Sequence, residues 1–403
     1  MLNEKDIIFE IFNYSQKRAK EIGAENVYDF SLGNPSVPAP SAVRSVMEEK
    51  LETLDPLSLH GYSPSLGIPE IREKIAADLN RSYGCHYTAS NIFMTAGAAS
   101  ALAHALRAVS NPGDEVLTIA PYFPEYKPYT AGAGLKLKVV PADTDTFQVP
   151  FEILEEMLTP AVSAILINSP NNPSGIVYST PTIRRLAEIL TRKSEEYGHT
   201  IFLISDEPYR DIIFSGTDSP YIANYYTDTI TCYSFSKSIS LPGERIGYLA
   251  VNPDSPYADR IIELCPQISR TTGHNGAASL LQHTVGDVCS MTSELSVYEN
   301  NKNLLYQALT EYGYHCVEPG GTFYMFPRSP ESDSMTFCKR AMEMDLMLVP
   351  GDNFGCPGHF RIAYCVPEER VKKALPVFRR LAESYRSALI YQLLLKSIDF
   401  ENN

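Results

Sequence analysis

A lysine flanked by hydroxyls and followed by an arginine is the first feature of this sequence that could do chemistry. Lys237 lies in the segment S-F-S-K-S-I-S-L-P-G-E-R, which continues from an apolar, strand-like run over 229–234. Burial and nearby positive charge lower the pKa of a lysine, and the neutral amine is then a nucleophile toward an aldehyde. Ser234, Ser236 and Arg245 are suited to hold a phosphate. We therefore predict that Lys237 reacts with an aldehyde beside a bound anion.

The composition bounds the fold and excludes some classes of protein. A chain of 403 residues with 44% hydrophobic and 20% charged residues predicts a globular protein with more than one typical domain. The formal charge of −14, with no basic run, argues against a nucleic-acid partner. The eight cysteines show no C-x-x-C pair and no histidine at metal-ligand spacing, so we predict reduced thiols and no metal site.

We predict neither an export signal nor a membrane-spanning segment in this sequence. Its first residues, M-L-N-E-K-D, are polar and run into an amphipathic pattern rather than an apolar core, so no signal peptide is predicted. No stretch of about 18 apolar residues exists to span a bilayer. We predict a cytoplasmic protein without a membrane partner.

The middle of the chain alternates between apolar strands and helical patterns. The predicted strands are 92–94, 115–120, 135–140, 164–168, 201–205, 229–233 and 246–251, with helices at 98–110 and about 181–197. Strands that alternate with helices of this length predict an α/β domain whose mostly parallel sheet is covered on both faces.

Both ends of the chain predict a smaller α+β unit. The N-terminal elements are helices at 5–22 and 41–54 and a strand at 27–32, and a further helix at 69–83 precedes the alternating region. The C-terminal elements are a helical stretch from about 255 to 312, strands at 322–326, 346–349 and 360–365, and a helix from about 367 into the 390s. Because the N-terminal segment is too short to fold alone, we expect it to pack with the C-terminal part. The apolar run at 388–395 is predicted to dock the last helix.

The pattern S-x-S-K-x-x-x-x-x-G-x-R-x-G-Y resembles the Schiff-base segment of the fold type I aminotransferases that use pyridoxal 5'-phosphate, the aspartate aminotransferase superfamily. The resemblance covers roughly Gly33 to Arg361. It implies a three-layer α/β/α large domain at 50–290 with a mostly parallel sheet of about seven strands, and a smaller α+β domain formed by 1–49 and 291–403.

Three further segments belong to the same resemblance and imply contacts with the cofactor ring. Asp206 ends an apolar strand, and a carboxylate buried there needs a cationic partner. In the family that partner is the pyridinium nitrogen, and Tyr209 then serves the phenolate oxygen. Asn172 lies in S-P-N-N-P-S-G, which resembles the family's P-N-N-P-x-G loop and assigns Asn172 to the phenolate oxygen as well. Phe123, in P-Y-F-P-E-Y, is assigned to stacking on the ring, while the other two aromatics of that segment pack elsewhere.

A strand-to-helix turn of small residues is expected to cradle the phosphate. Gly97, Ala98 and Ala99 open the helix after strand 92–94, where free backbone N–H groups and the helix dipole favour an anion. The turn alone is a weak signal, because such turns commonly only reverse the chain. Tyr62 resembles a tyrosine that reaches the phosphate of a partner subunit, which implies a homodimer with shared sites.

The resemblance also assigns the substrate. Arg361 lies in the segment R-I-A-Y of a predicted C-terminal strand. In the family the arginine of this strand forms a bidentate ion pair with the substrate α-carboxylate, and the resemblance implies that Gly33 and Asn172 line the same pocket. Arg270, 33 residues beyond Lys237 (270 − 237), lies near where dicarboxylate-specific relatives carry an arginine that reaches across the dimer to the side-chain carboxylate of the substrate. The alternative is that Arg270 ends a helix and complements its dipole.

The resulting functional hypothesis is an aminotransferase that moves an amino group between an L-amino acid and a 2-oxo acid such as 2-oxoglutarate. Aspartate or glutamate is the first candidate donor, with aromatic or other neutral amino acids as the alternative, because the helix-opening turn lacks the lysine that some relatives use for a distal carboxylate. A lyase on the same scaffold, either a carbon–sulfur β-lyase or an aminocyclopropane-carboxylate synthase-like enzyme, is the alternative reaction. A ligand-sensing regulator would need a DNA-binding extension, and the sequence shows none.

Overall fold

The computed structural model describes residues 7–401, with side chains described as far as Arg386. The helices are α1 Ile7–Ile22, α2 Ser41–Thr53, α3 Pro56–His60, α4 Pro69–Tyr83, α5 Ala98–Val109, α6 Tyr126–Gly132, α7 Phe151–Met157, α8 Thr180–Tyr197, α9 Phe235–Ser238, α10 Ala258–Thr272, α11 Ser279–Val288, α12 Ser296–Glu311, α13 Ser334–Glu343 and α14 Glu368–Glu401. The strands are β1 Tyr28–Asp29, β2 Ile92–Thr95, β3 Glu115–Ile119, β4 Lys136–Val140, β5 Val162–Asn168, β6 Phe202–Asp206, β7 Thr229–Ser234, β8 Gly247–Val251, β9 Tyr324–Met325, β10 Leu346–Met347, β11 Val349–Pro350 and β12 Phe360–Ala363.

Seven strands form the central sheet, in the order β2-β8-β7-β6-β5-β3-β4. Neighbours from β7 through β4 are parallel, while β8 is antiparallel to both β2 and β7. This confirms the predicted mostly parallel sheet. Because β2 and β7 both run opposite to β8, the carboxyl ends of six strands and the start of β8 meet at one edge.

Helices cover both faces of this sheet. Alternate side chains of β5 point to opposite sides, so that Ala164 and Leu166 pack in one core with α5 and α10. Ile165 and Ile167 pack in a second core with α7 and α8. The period of two along a strand buried on both faces accounts for the continuous apolar run.

Several elements differ from the predicted ones. The strand predicted at 27–32 is paired only over Tyr28–Asp29, and the strand predicted at 322–326 only over Tyr324–Met325. Helices α6 and α7 were not predicted, because seven residues are too few to show a helical period. Strand bounds depend on which partner lies alongside, which local sequence does not encode.

The N-terminal segment contacts the C-terminal strands. β1 pairs in parallel with β10, and β11, β12 and β9 form a separate antiparallel sheet. Arg18 Nε of α1 lies 2.7 Å from Asp345 Oδ1, just before β10. Helix α2 instead packs on α11, where Lys50 and Asp287 form an ion pair of 2.7 Å. The predicted domain limit at 49 therefore falls inside α2, and the division into two domains stays a prediction.

The predictions about the C-terminal helix, the cysteines, the membrane and metal binding can each be compared with the structure. The side chains of the apolar run at 388–395 lie outside the described residues, although the backbone of α14 continues to Glu401. The eight cysteines are free thiols. Over the part of the chain that the structure describes, no helix is long and apolar enough to cross a membrane, and no group of three metal-ligating side chains comes together.

Candidate active site

A cavity of about 380 Å³ opens at the sheet edge where the strand ends meet. This is the position at which α/β folds bind their ligands. Twelve of the predicted site residues line it: Gly33, Ala98, Ala99, Phe123, Asn172, Asp206, Tyr209, Ser234, Ser236, Lys237, Arg245 and Arg361. Residues far apart in the sequence are therefore brought to one place.

Lys237 projects into this cavity from α9, a single turn that follows β7. The side chain of Ser234 caps the turn by accepting from the Ser236 N–H at 3.2 Å. The Lys237 Nζ donates to the Gly33 carbonyl oxygen at 2.7 Å. Burial lowers the Lys237 pKa to about 8; Cys365 opposes this change, whereas Arg361 and Arg245 add to it. The lysine therefore loses its proton far more readily than a lysine in water.

Asp206 is the last residue of β6 and has two unlike carboxylate oxygens. Its Oδ2 accepts from the Tyr126 Oη at 2.7 Å, whereas its Oδ1 is buried without a hydrogen-bond partner. Burial raises the Asp206 pKa to about 7. The hydrogen bond from Tyr126 lowers this pKa, and the nearby Glu207 raises it further. A buried carboxylate with one open oxygen calls for a cationic ligand. Tyr126 was not among the predicted site residues.

The other side of the cavity collects donors for an anion. Gly97 precedes α5 with φ of 85°, and a Cβ there would lie 2.9 Å from Arg245 Nη2. The backbone angle favours glycine, and the absence of a side chain lets the Arg245 guanidinium come close to this turn. Ser234 Oγ and Ser236 Oγ lie 2.7 Å apart, and Arg245 Nη1 reaches Ser236 Oγ at 3.4 Å. Two hydroxyls, a guanidinium and the N-terminus of α5 converge on one point.

Arg361 forms the opposite wall and is buried. Its Nη1 donates to Asn172 Oδ1 at 3.1 Å, and its Nη2 donates to the carbonyl oxygen of Ser31. The guanidinium carbon lies 4.8 Å from the ring centre of Tyr324 and 4.9 Å from that of Phe354. A guanidinium held by two hydrogen bonds and two ring contacts can present its fork to a carboxylate.

Tyr324 and Asn168 also line the cavity, and sequence reasoning missed both. Tyr324 Oη lies 3.2 Å from Tyr209 Oη. Asn168 donates from Nδ2 to the Asp206 carbonyl oxygen at 2.8 Å, and its Oδ1 accepts from the Asn172 N–H at 2.6 Å. Asn168 ends the strand before the Asn172 loop, so its position was a usable signal. Nothing in the local sequence shows which side of β9 faces the cavity.

Three predicted residues are not in the lining of this cavity: Gly97, which directly precedes the lining residue Ala98, and Tyr62 and Arg270. The Tyr62 side chain is fully exposed. Arg270 is exposed in the last turn of α10, where a cation complements the helix dipole. Tyr62 and Arg270 were assigned to the site of a partner subunit, so a single chain leaves these assignments as predictions. The residues just after Arg270, Thr271 and Thr272, line a neighbouring cavity of about 660 Å³ that shares Arg245 with the first.

Phe123 is partly buried and meets the ring of Tyr126 edge to face, with 5.8 Å between ring centres. Phe123 also lines the cavity. The predicted stacking role remains a prediction.

Residues 25–378 match the model of the family described as aminotransferase class I and II. The chain belongs to this family. It is 32% identical over 387 residues to a probable aspartate aminotransferase of Methanocaldococcus jannaschii, with 93% of this chain and 96% of that protein covered. It is 27% identical to an aromatic-amino-acid aminotransferase of Thermococcus litoralis, with 88% and 91% covered. A crystal structure of an aminotransferase from Eubacterium rectale superimposes with a TM-score of 0.93 at 45% identity, covering 95% of this chain and 96% of that one.

These relatives confirm the predicted activity class and the predicted fold, and they do not favour the alternative reaction. The chain is an aminotransferase, the fold is that of the aspartate aminotransferases, and the lyase alternative is not favoured. Members of the family generally depend on pyridoxal 5'-phosphate, use amino acids and 2-oxo acids, and are generally dimeric. The roles of individual residues stay predictions.

Proposed function

We propose that this aminotransferase binds pyridoxal 5'-phosphate in the cavity around Lys237 and moves an amino group between an L-amino acid and a 2-oxo acid such as 2-oxoglutarate. The observation that carries the proposal is Asp206 Oδ1, which is buried beside the cavity without a hydrogen-bond partner. The protonated ring nitrogen of the cofactor would supply the missing cation. Because Asp206 Oδ2 already accepts a hydrogen bond from Tyr126, only Oδ1 is left for one cationic partner.

The remaining residues fit the other groups of this cofactor. Lys237 would hold its aldehyde carbon, while Asn172 and Tyr209 would face its phenolate oxygen. The residues that would hold its phosphate are Gly97, Ala98, Ala99, Ser234, Ser236 and Arg245, with Tyr62 of a partner subunit. Phe123 would cover the ring. When bound, the cofactor accepts the electrons released as a bond to the substrate Cα breaks.

The chain's own residues provide binding and proton transfer. The Arg361 fork would hold the substrate α-carboxylate, with Gly33 and Asn172 along the same wall. That contact would place the substrate Cα toward Lys237, whose Nζ could take its proton as a base and return it as an acid. A lysine with a pKa of about 8 is matched to both directions near neutral pH.

The donor is the open part of the proposal. Aspartate or glutamate is supported by Arg270 in the position expected for a distal arginine and by relatives named for aspartate. Aromatic or neutral donors are supported by the absence of a lysine at the start of α5 and by a relative named for aromatic amino acids. The case for aspartate or glutamate requires the homodimer with shared sites, because Arg270 does not line the cavity of its own chain. The proposed location is the cytoplasm.

A donor screen tests the reaction. The purified protein loaded with pyridoxal 5'-phosphate is offered single L-amino acids and 2-oxoglutarate, and glutamate, pyruvate and ammonia are measured. The proposal is supported when an amino acid yields its 2-oxo acid and an equal amount of glutamate forms. When glutamate itself is the donor, oxaloacetate replaces 2-oxoglutarate as the acceptor, and the formation of aspartate supports the proposal. Ammonia formed without 2-oxoglutarate would instead establish a lyase. The Lys237→Ala variant is the control and is expected to form neither product.

A further inference from the structure

Tyr324 contacts three of the groups on which the proposed function relies, although no motif includes it. Its position on β9 is fixed by pairing with Ala363 of β12, two residues beyond Arg361. Its hydroxyl lies 3.2 Å from the Tyr209 hydroxyl, and its ring lies 4.8 Å from the Arg361 guanidinium carbon. The side chain is buried, so both contacts are held by packing.

The third contact is with the backbone of Gly33. A Cβ on Gly33 would lie 1.7 Å from the Tyr324 hydroxyl oxygen, so only glycine leaves room for that hydroxyl. The carbonyl of the same Gly33 accepts the hydrogen bond from Lys237 Nζ. The Tyr324 hydroxyl therefore packs between Tyr209 and the backbone that holds the lysine.

The two hydroxyls constrain each other's hydrogens. Burial raises the pKa of Tyr324 to about 12 and that of Tyr209 well above its ordinary value, so both are neutral near pH 7. Between two neutral hydroxyls one donates and the other accepts. When Tyr324 donates, the single hydrogen of Tyr209 is left for a ligand in the cavity. When Tyr209 donates to Tyr324, that hydrogen is lost to the ligand.

We propose that Tyr324 is a positioning residue with two separable parts. Its hydroxyl donates to Tyr209 and so directs the Tyr209 hydrogen into the cavity, while its ring holds the plane of the Arg361 guanidinium. The inference rests on the proposed function, in which Tyr209 faces the phenolate oxygen of the cofactor and Arg361 binds the substrate carboxylate.

Two variants separate the role of the Tyr324 hydroxyl from that of its ring. The first readout is the pH midpoint of the visible absorbance of bound pyridoxal 5'-phosphate, and the second is the KM for an amino donor. A hydrogen bond from Tyr209 to the phenolate oxygen stabilises its negative charge, and the donation from Tyr324 orients and polarises that Tyr209 hydroxyl. Removing the Tyr324 hydroxyl therefore weakens the hydrogen bond to the phenolate oxygen and favours the protonated form. We expect Tyr324→Phe to raise the midpoint by about half to one pH unit and to leave KM within about twofold. We expect Tyr324→Leu to raise the midpoint equally and also to raise KM about tenfold.

Tyr314→Phe is the matched control, because Tyr314 is also buried but donates to the Phe378 carbonyl oxygen at 3.1 Å and does not line the cavity. It is expected to leave midpoint and KM unchanged. A wild-type midpoint in Tyr324→Phe would overturn the role of the hydroxyl, and a wild-type KM in Tyr324→Leu would overturn that of the ring. Failure of the wild-type protein to show a visible band with the cofactor would overturn the proposed function itself.

Discussion

Lys237 and Gly33 are 204 residues apart in the chain, yet the lysine Nζ donates to the glycine carbonyl at 2.7 Å. This contact ties the loop after β1 to the turn after β7. The lysine is held over the cavity by a neutral acceptor rather than by a carboxylate. Since a carbonyl does not favour the charged amine as a carboxylate would, burial dominates and the Lys237 pKa is lowered to about 8.

We therefore expect the cofactor-free protein to take up pyridoxal 5'-phosphate faster as pH rises toward 8. Below its pKa only the neutral fraction of Lys237 reacts, so the rate should change about tenfold per pH unit and level off above pH 8. The measurement is the growth of visible absorbance after mixing, from pH 6 to 10. A rate that still climbs between pH 9 and 10, as for an ordinary lysine, would contradict the lowered pKa. Lys237→Ala is the control for binding without this reaction.

Asp206→Asn is expected to stabilise the cofactor-free protein while impairing the loaded enzyme. The Asp206 pKa is raised to about 7 in the folded protein. As pH rises from about 4 through 7, the folded protein must bury a carboxylate charge, and Asp206 therefore lowers the free energy of unfolding of the wild type. Above pH 7 the variant should gain on the order of 2 kcal/mol in free energy of unfolding, and the gain should vanish near pH 4. With the cofactor bound, kcat should fall at least about a hundredfold, because the ring nitrogen loses its ionic partner.

Denaturant unfolding at pH 4, 6 and 8 checks the first part, and steady-state kinetics the second. Asp145→Asn is a matched control, since the Asp145 side chain is 85% exposed. A variant that is no more stable than the wild type at pH 8 would show that Asp206 is not a buried charge without a partner.

Arg361→Lys is expected to weaken every amino donor alike. The guanidinium bonds to both Asn172 and Ser31 and packs against the rings of Tyr324 and Phe354, and an ammonium cannot reproduce this fork. We expect kcat/KM to fall about a hundredfold, roughly 3 kcal/mol, for both aspartate and phenylalanine, because both carry the α-carboxylate. Arg328→Lys, on a half-exposed arginine outside the cavity, should leave both values unchanged. A loss confined to one donor would mean that Arg361 binds a side chain instead.

Arg270→Ala distinguishes the two donor classes. If Arg270 reaches the site of the partner subunit, kcat/KM for aspartate should fall about a hundredfold, on the order of 3 kcal/mol, while phenylalanine is spared. Arg260→Ala, on an exposed arginine of the same helix, controls for changes in helix α10. Equal losses for both donors would show that Arg270 serves the helix terminus.

The sequence by itself determined which residues reach the cavity from the strand ends. Asn172, Asp206 and Lys237 each follow an apolar run, and runs of this kind interleaved with helices form a parallel sheet whose carboxyl ends share one edge. Their chemistry and their order along the chain could therefore be interpreted without coordinates. The resemblance added Arg361, which local sequence would have placed on a solvated edge.

Only the tertiary structure decided the partners of these residues. Tyr126 beside Asp206, Tyr324 beside Tyr209 and Gly33 beneath Lys237 are contacts across 80, 115 and 204 residues of chain. Such contacts depend on how β1, α6 and β9 are docked, and each of these elements is too short for its own sequence pattern to fix its orientation. The pKa values of Lys237 and Asp206 follow from the same docking, because burial and neighbouring charges exist only once the chain has folded.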